Sequence, residues 1–220
     1  MPRTDVVTPP KPAGYYGEGR ADLVAELPRP LGRVLDVGCG EGGAGPLLRA
    51  AGASEIVGIE IEPEPAAVAA RRYDRVEVGD ARQALNRLDD PFDTVLCYDV
   101  LEHLVDPGAL LRELAASASR GASLHVSTPN ARHWTLVRDL LLRGTFGYSE
   151  WGHRDATHLR WFTRRDLVGL IADAGWRVES TTPSLAHFLR ARRLHVPHGL
   201  VWRAGELFAL QWFVLARAPA

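Results

Sequence analysis

Short apolar runs bounded by glycine, proline or acidic residues recur over the first 130 residues, and most are followed by apolar positions at helical spacing. RVLDV (33–37), EIVGIE (55–60), VEV (76–78), FDTVLCYD (92–99) and ASLHVST (122–128) read as five buried strands. Between them, Leu47 to Ala51 closes a helix stopped by Gly52, and Pro63 and Pro65 open one that runs through alanines to Arg72. Asp106-Pro107 supplies an N-cap and a first-turn proline for a helix carrying Leu110, Leu111 and Leu114, which Gly121 stops. Ahead of the first strand, Tyr16, Leu23 and Leu27 suit a helix over 15–27 ended by Pro28 and Pro30. Strands alternating with helices at this interval imply a parallel sheet covered on both faces.

The pattern changes after Pro129. Residues 130–162 are dense in Arg, His, Trp and Gly, with a helix predicted over 134–142. Thr163 then caps an amphipathic helix that carries Asp166 at its third position and ends at Gly175. WRVES (176–180) and LFALQWFVLARAP (207–219) read as two final strands, expected to form an antiparallel pair. Arg190, Arg192, Arg193, His195 and His198 fall between them, as a solvated helix face or a patch for an anionic ligand. Pro2, Pro9, Pro10 and Pro12 sit in a segment without apolar periodicity, so residues 1–13 are expected to be a disordered tail and 14–220 one domain.

Composition narrows the function classes. The 220 residues carry 26 basic and 27 acidic side chains, a formal net charge of −1, which argues against a nucleic-acid sleeve or a polybasic membrane anchor. The longest apolar run, Leu207 to Ala216, is short of the roughly 18 residues of a spanning helix, and the start lacks the apolar core of a signal peptide. Cys39 and Cys97 lie inside apolar runs rather than in a disulfide framework, and a cytoplasmic location is expected. Lys11 is the only lysine, so arginine supplies nearly all the positive charge. A G+C-rich genome and selection for guanidinium chemistry would both produce that bias.

The densest chemistry lies in VLDVGCGEGG (34–43), a strand that runs into Gly38, Gly40, Gly42 and Gly43 before a helix. Glycines there let the backbone turn sharply and a ligand approach closely. Gly38, Gly40 and Gly43 satisfy G-x-G-x-x-G, and Glu60 ends the next strand 20 residues past Gly40, where a carboxylate can accept ribose hydroxyls. Asp36 just before the turn and Asp80 after the third strand add two more acids around one crevice. Three carboxylates suit a cationic sulfonium ligand with an amino group better than the pyrophosphate of a nicotinamide dinucleotide.

These residues resemble the class I S-adenosylmethionine-dependent methyltransferases over 15–219. VLDVGCGEG is similar to the first motif of that family, VGIEIEP to its second, GDA (79–81) to its third and FDTVLCYDVLEHL (92–104) to its strand-four motif. STPNARHW (127–134) and DATHLRWFT (155–163) resemble a bacterial subgroup associated with surface glycans or secondary metabolites. The resemblance implies an α/β, Rossmann-like three-layer sandwich with a mostly parallel seven-stranded sheet and an antiparallel C-terminal strand. It implies S-adenosyl-L-methionine as cofactor, with Gly38, Cys39 and Gly40 against its methionine portion and Asp36 assisting the amino group. Glu60 would hold the ribose, Ile61 would pack on the adenine, and Asp80 with Ala81 would contact its edge. Tyr98 and Asp99 would lie beside the transferable methyl, with Tyr16 and Arg20 closing over the cofactor. Glu60 stands where many members have Asp.

For the chemistry, residues 130–162 are expected to form an acceptor pocket. His158, with Asp155 to orient it, is the leading base and His133 the second. His153, Asp155 and His158 also spell H-x-D-x-x-H, but that spacing is loose and no metal is assigned. His103 is read as packing on the cofactor side, and Phe146, Tyr148, Trp151 and Trp161 as core or as an aromatic lid. The expected reaction is O-methylation of a sugar hydroxyl or small metabolite. N- or carboxyl-methylation, a nicotinamide-dependent oxidoreductase and a regulatory cofactor-binding domain are the alternatives. The expected partner is a small-molecule or glycan acceptor, with no nucleic acid and no membrane span, and C-terminal aromatics could support a homodimer.

Overall fold

The computed structural model describes residues 15–17, 19–191 and 198–219. The strands are β1 (Gly32–Val37), β2 (Ala53–Glu60), β3 (Arg75–Val78), β4 (Phe92–Tyr98), β5 (Ala118–Pro129), β6 (Arg177–Pro183) and β7 (Gln211–Arg217). The helices are α1 (Ala21–Val24), α2 (Gly45–Ala50), α3 (Pro63–Ala69), α4 (Ala81–Leu85), α5 (Pro107–Ala116), α6 (Trp134–Arg143), α7 (Arg164–Asp173), α8 (Ser184–Ala191) and α9 (His198–Phe208).

All seven strands join one sheet in the order β3-β2-β1-β4-β5-β7-β6. The first five are parallel, and β7 runs antiparallel to both β5 and β6. The expected fold class is therefore present, including the antiparallel final pair. Strand β1 has β2 on one side and β4 on the other, so chain order reverses there and a crevice opens beyond the strands' carboxyl ends. Both faces of β1 are buried: Val34 packs with Leu31, Leu48, Ile56 and Leu96, while Leu35 and Val37 join Val57, Val95, Leu110 and Trp176 on the other side.

Several elements differ from the sequence reading. The expected helix over 15–27 is broken into a 3-10 turn, Tyr15–Gly17, and the short α1, because Arg20 adopts a left-handed conformation (φ 47°) between them. Helix α5 stops at Ala116, where Ser117 Oγ donates back to Glu113 O, and residues 118–121 extend β5 instead of continuing the helix to Gly121. Leu207 and Phe208 belong to α9 rather than to the last strand. The break there is fixed by Ser184 Oγ, which accepts from Leu210 N and Gln211 N, a partner 26 residues away that local hydropathy cannot reveal. Helix α4, capped by Asp80, was not foreseen. The expected tail, and Arg192, Arg193 and His195, lie outside the described residues.

One polar pair crosses this core. Tyr73 Oη donates to Asp36 Oδ2 at 2.5 Å, joining β1 to the segment after α3. The Tyr73 ring fills space that only glycines leave: a Cβ on Gly45 or Gly58 would come within 2.9 Å of it. Burial pushes the Asp36 carboxyl up to about 7, opposed by the Tyr73 hydrogen bond and helped by the charge of Glu60. A folded-state value above the unfolded one means the native protein keeps a proton that the unfolded chain releases between pH 3.8 and about 7. Stability should therefore fall as pH rises through that window, by an amount on the order of a few kcal/mol. In urea titrations, the stability difference between wild type and Asp36→Asn should shrink across the same window. A difference that stays flat would show that Asp36 ionises normally.

Candidate active site

The crevice is built on backbone that tolerates no side chain. Gly38 and Gly40 have φ of 73° and 55°, and a Cβ on Gly38 would meet Val100 Cγ2 at 2.5 Å, just past the end of β4. On Gly40 it would meet Tyr16 O at 2.5 Å, and Tyr16 O already accepts Glu41 N at 2.8 Å. The N-terminal segment thus lies directly against the glycine turn. Gly38 N and Cys39 N both donate to Ile59 O, tying the turn to β2.

Each acid of the sequence reading has a defined partner. Asp36 is held by Tyr73 in the interior rather than facing the crevice through a free carboxylate. Glu60, 5% exposed, accepts Gly40 N at 2.8 Å through Oε2 and Glu62 N at 3.0 Å through Oε1, so each oxygen keeps one lone pair. Asp80 caps α4 by accepting from Arg82 N and Gln83 N, with Ala81 half-buried behind it. Ile61, 52% exposed beside Glu60, is an apolar platform at the rim. Bare glycine backbone, a hydroxyl acceptor and an exposed apolar face fit an adenosine-type cofactor, and these residues are the ones that could hold it.

Asp99, at the end of β4, has φ of 55° and sits in a network. Its Oδ2 accepts from Arg20 at 2.9 Å, and its Oδ1 accepts from Gln211 Nε2 at 2.7 Å and Ser127 Oγ at 3.0 Å. Arg20 also donates to Gln211 Oε1 at 3.2 Å. Its guanidinium is therefore spent on the protein. Tyr98 is half-buried beneath that guanidinium, 6.0 Å from the ring centre, and burial of its hydroxyl raises its phenol. The Cys39 thiol is likewise raised by burial and by the nearby Asp36 and Glu60 charges, so it stays protonated.

On the acceptor side the histidines divide into two pairs. His133, capping α6 just beyond β5, has Nδ1 2.8 Å from Thr135 Oγ1 and its ring 5.1 Å from that of His153. Burial, and then Arg154, holds His133 below its ordinary value; burial, His133 and Arg154 bring His153 down to about 4. His158 instead meets His103 edge to face at 4.7 Å, and both lie beside Glu102. Asp155 Oδ1 accepts from Thr157 N at 2.8 Å and Thr157 Oγ1 at 2.7 Å, which makes it the anchor of the 155–158 turn. Among the described residues, His153, Asp155 and His158 do not gather as a metal-ligating trio; Glu102, His103 and His158 do, with one ligand atom each within 4.8 Å of the others. Phe146, Tyr148 and Trp161 stack against one another, while Trp151 stands 61% exposed.

Sequence reasoning missed Tyr73, Ser127, Gln211 and Glu102. The first three act through partners 28 or more positions away and carry no local signal. Glu102 did carry one, an acid set directly among apolar neighbours in VLEHL.

A family described as a methyltransferase domain matches residues 13–181. A Mycobacterium tuberculosis protein named "probable S-adenosylmethionine-dependent methyltransferase" is 32% identical over 167 residues, covering 76% of this chain and 56% of that protein. A ubiquinone biosynthesis O-methyltransferase of Xanthomonas campestris is 35% identical over 133 residues, covering 57% of this chain and 55% of its own. The chain thus spans a little over half the length of these curated relatives. Among solved structures, an S-adenosylmethionine-dependent methyltransferase from Mesorhizobium loti superposes with a TM-score of 0.61 at 20% identity, over 91% of this chain and 98% of that one. The [4+2]-cyclase SpnF does so with 0.63 at 23%, over 92% and 85%, so the fold alone does not dictate the reaction. With the family match spanning more than three quarters of its length, this chain belongs to the S-adenosylmethionine-dependent methyltransferases.

Proposed function

We propose that this chain transfers a methyl group from S-adenosylmethionine to a hydroxyl oxygen of a sugar or small metabolite. The observation that carries the reading is the contact between the glycine turn and the end of β4 where strand order reverses, with Glu60 buried against Gly40 N. S-adenosylmethionine supplies, when bound, a methyl group on a positively charged sulfur. Glu60 holds the ribose through its remaining lone pairs, Ile61 backs the adenine, and Tyr16 and Arg20 cover the crevice. Asp36 and Tyr73 hold the turn in shape from behind. Oxygen as the accepting atom draws on the Xanthomonas relative, whose name specifies O-methylation.

Residues 130–162 form the acceptor side of the crevice. Tyr148 and Trp151, exposed by 60% and 61%, offer apolar surface to the acceptor. His133 is the base that the geometry favours over His158. With Nδ1–H donated to Thr135 Oγ1, its Nε2 carries the lone pair, and its lowered value keeps it neutral at physiological pH. Asp155 positions the loop through Thr157 rather than acting on the acceptor.

Calorimetry with S-adenosylhomocysteine should show one site, and Glu60→Ala should weaken it by about 1.5–3 kcal/mol, the range for hydrogen bonds to a charged group. Binding of NAD in place of S-adenosylhomocysteine would overturn the cofactor assignment. Once an acceptor is found by screening with labelled cofactor, His133→Ala should lower kcat by about 100-fold or more with S-adenosylhomocysteine affinity unchanged. The acid limb of the wild-type pH–rate profile should lie below 6.5, the ordinary histidine value. Unchanged turnover would remove His133 from the reaction.

A further inference from the structure

Glu102 presents a physical problem that the proposed transfer does not solve. Its side chain is 1% exposed, and among the described residues neither carboxylate oxygen has a hydrogen-bond partner. Leaving such a group unpaired costs several kcal/mol unless it is neutralised or bound to a cation. Among the described residues, its surroundings add no positive charge of their own: Asp99 and Asp155 contribute further negative charge around it. Arg20 is the cation nearest in function, but it is committed to Asp99 and Gln211.

Two imidazoles complete the neighbourhood. His103 follows Glu102 in the 3-10 turn Leu101–His103, and His158 is brought in by a loop docked on that turn. Leu159 N and Arg160 N both donate to Glu102 O, at 2.8 and 3.0 Å. The His103 ring is also oriented. Its Nδ1 lies 3.3 Å from Thr157 O and 3.2 Å from Thr157 Oγ1, and that hydroxyl already donates its hydrogen to Asp155 Oδ1. Nδ1 therefore carries the proton, and Nε2 is the ring nitrogen that bears the lone pair. A carboxylate acting through a hydroxyl to fix the outer nitrogen of a histidine is the arrangement found behind metal-bound imidazoles.

We infer that Glu102, His103 and His158 bind a first-row divalent transition-metal ion. One carboxylate and two imidazoles suit zinc, iron, cobalt or manganese more than calcium or magnesium. The ligand atoms, within 4.8 Å of one another, need to close by about 1–2 Å to reach a shell with ligand bonds of about 2.0–2.2 Å. Three protein ligands leave positions open for water or for an acceptor oxygen. The second of those roles rests on the proposed transfer reaction; ion binding itself does not.

The test uses the full chain, untagged and stripped with a chelator, titrated with zinc and with cobalt. Calorimetry should show one equivalent bound, and cobalt should give visible d–d absorption without a thiolate charge-transfer band. Glu102→Gln, which keeps the side-chain shape, and His158→Ala should each weaken binding by about tenfold or more. His133→Ala should leave it unchanged. Absence of a stoichiometric site in the wild type, or wild-type affinity in Glu102→Gln and His158→Ala, overturns the inference. So does loss in His133→Ala alone, which would move the ion to the His133–His153 pair. S-adenosylhomocysteine binding by the stripped protein reports on the cofactor reading separately, so either proposal can fail without the other.

Discussion

Everything at the crevice depends on backbone packed against its neighbours more closely than a Cβ allows. Gly38 is against Val100, Gly40 against the Tyr16 carbonyl, and a Cβ on Gly19 would meet Gly43 O at 2.5 Å. These contacts bring β1, β4 and the N-terminal segment to one point. They also leave amide groups, rather than side chains, to shape the floor. Glu60 belongs to the same constraint, because the distance it spans to Gly40 N exists only when the turn is this tight. A helix running from 15 to 27 would not fit over the turn. The left-handed Arg20 lets the chain drop from the 3-10 turn across Gly43 and rise again into α1.

The acids around the crevice do different work from the one their count suggested. Three carboxylates around one crevice, with Asp99 close by, suggested a field for a cationic ligand. Asp36 is paired with a buried phenol, Asp80 caps a helix, Asp99 is neutralised by Arg20, and Glu60 accepts from the amide of the glycine turn. The polarity is therefore less a diffuse field than a set of closed pairs, with Glu102 outside any of them. A closed pair costs little when a ligand arrives elsewhere, whereas an open buried carboxylate must find a cation or stay protonated.

How much of this could be read from the sequence follows from how far apart the interacting residues lie. The strand–turn–helix of 33–50 and the following acid are local, so the turn, Glu60 and the parallel order of β1 to β5 were legible. Tyr73, Gln211 and Ser127 were not, because nothing near them in sequence marks a residue whose partner is 37, 112 or 28 positions away. The end of α9 was hidden for the opposite reason: Leu207 to Ala216 is apolar on both sides of the break, and hydropathy alone carries no boundary there. For His158, the spacing to Asp155 points to a local partner, whereas the side chains that stand beside it are distant in sequence. The residues beside it, His103 and Glu102, come from the far side of the sheet connection, some 55 positions earlier.

The near-absence of lysine has a structural counterpart as well as any genomic cause. Arg33 pairs with Glu55 while bonding Asp90 O, and its guanidinium lies 4.4 Å from the Phe92 ring centre. Arg154 reaches Asp139 and Phe146 O together, and Arg87 reaches Glu77, Gln83 O and Val78 O. A planar fork serves a carboxylate and a carbonyl in fixed directions, where a lysine ammonium would place one point charge. Arg33 and Arg87 each tie a loop or helix end to a strand, and Arg154 ties its loop to α6, which is work that backbone hydrogen bonds of the sheet cannot do. Arg20 is the same device at the crevice: one guanidinium links the N-terminal segment, the end of β4 and the start of β7. Whatever biased the codons, these sites use geometry that only guanidinium has, and replacing them with lysine would keep the net charge of −1 while loosening the connections.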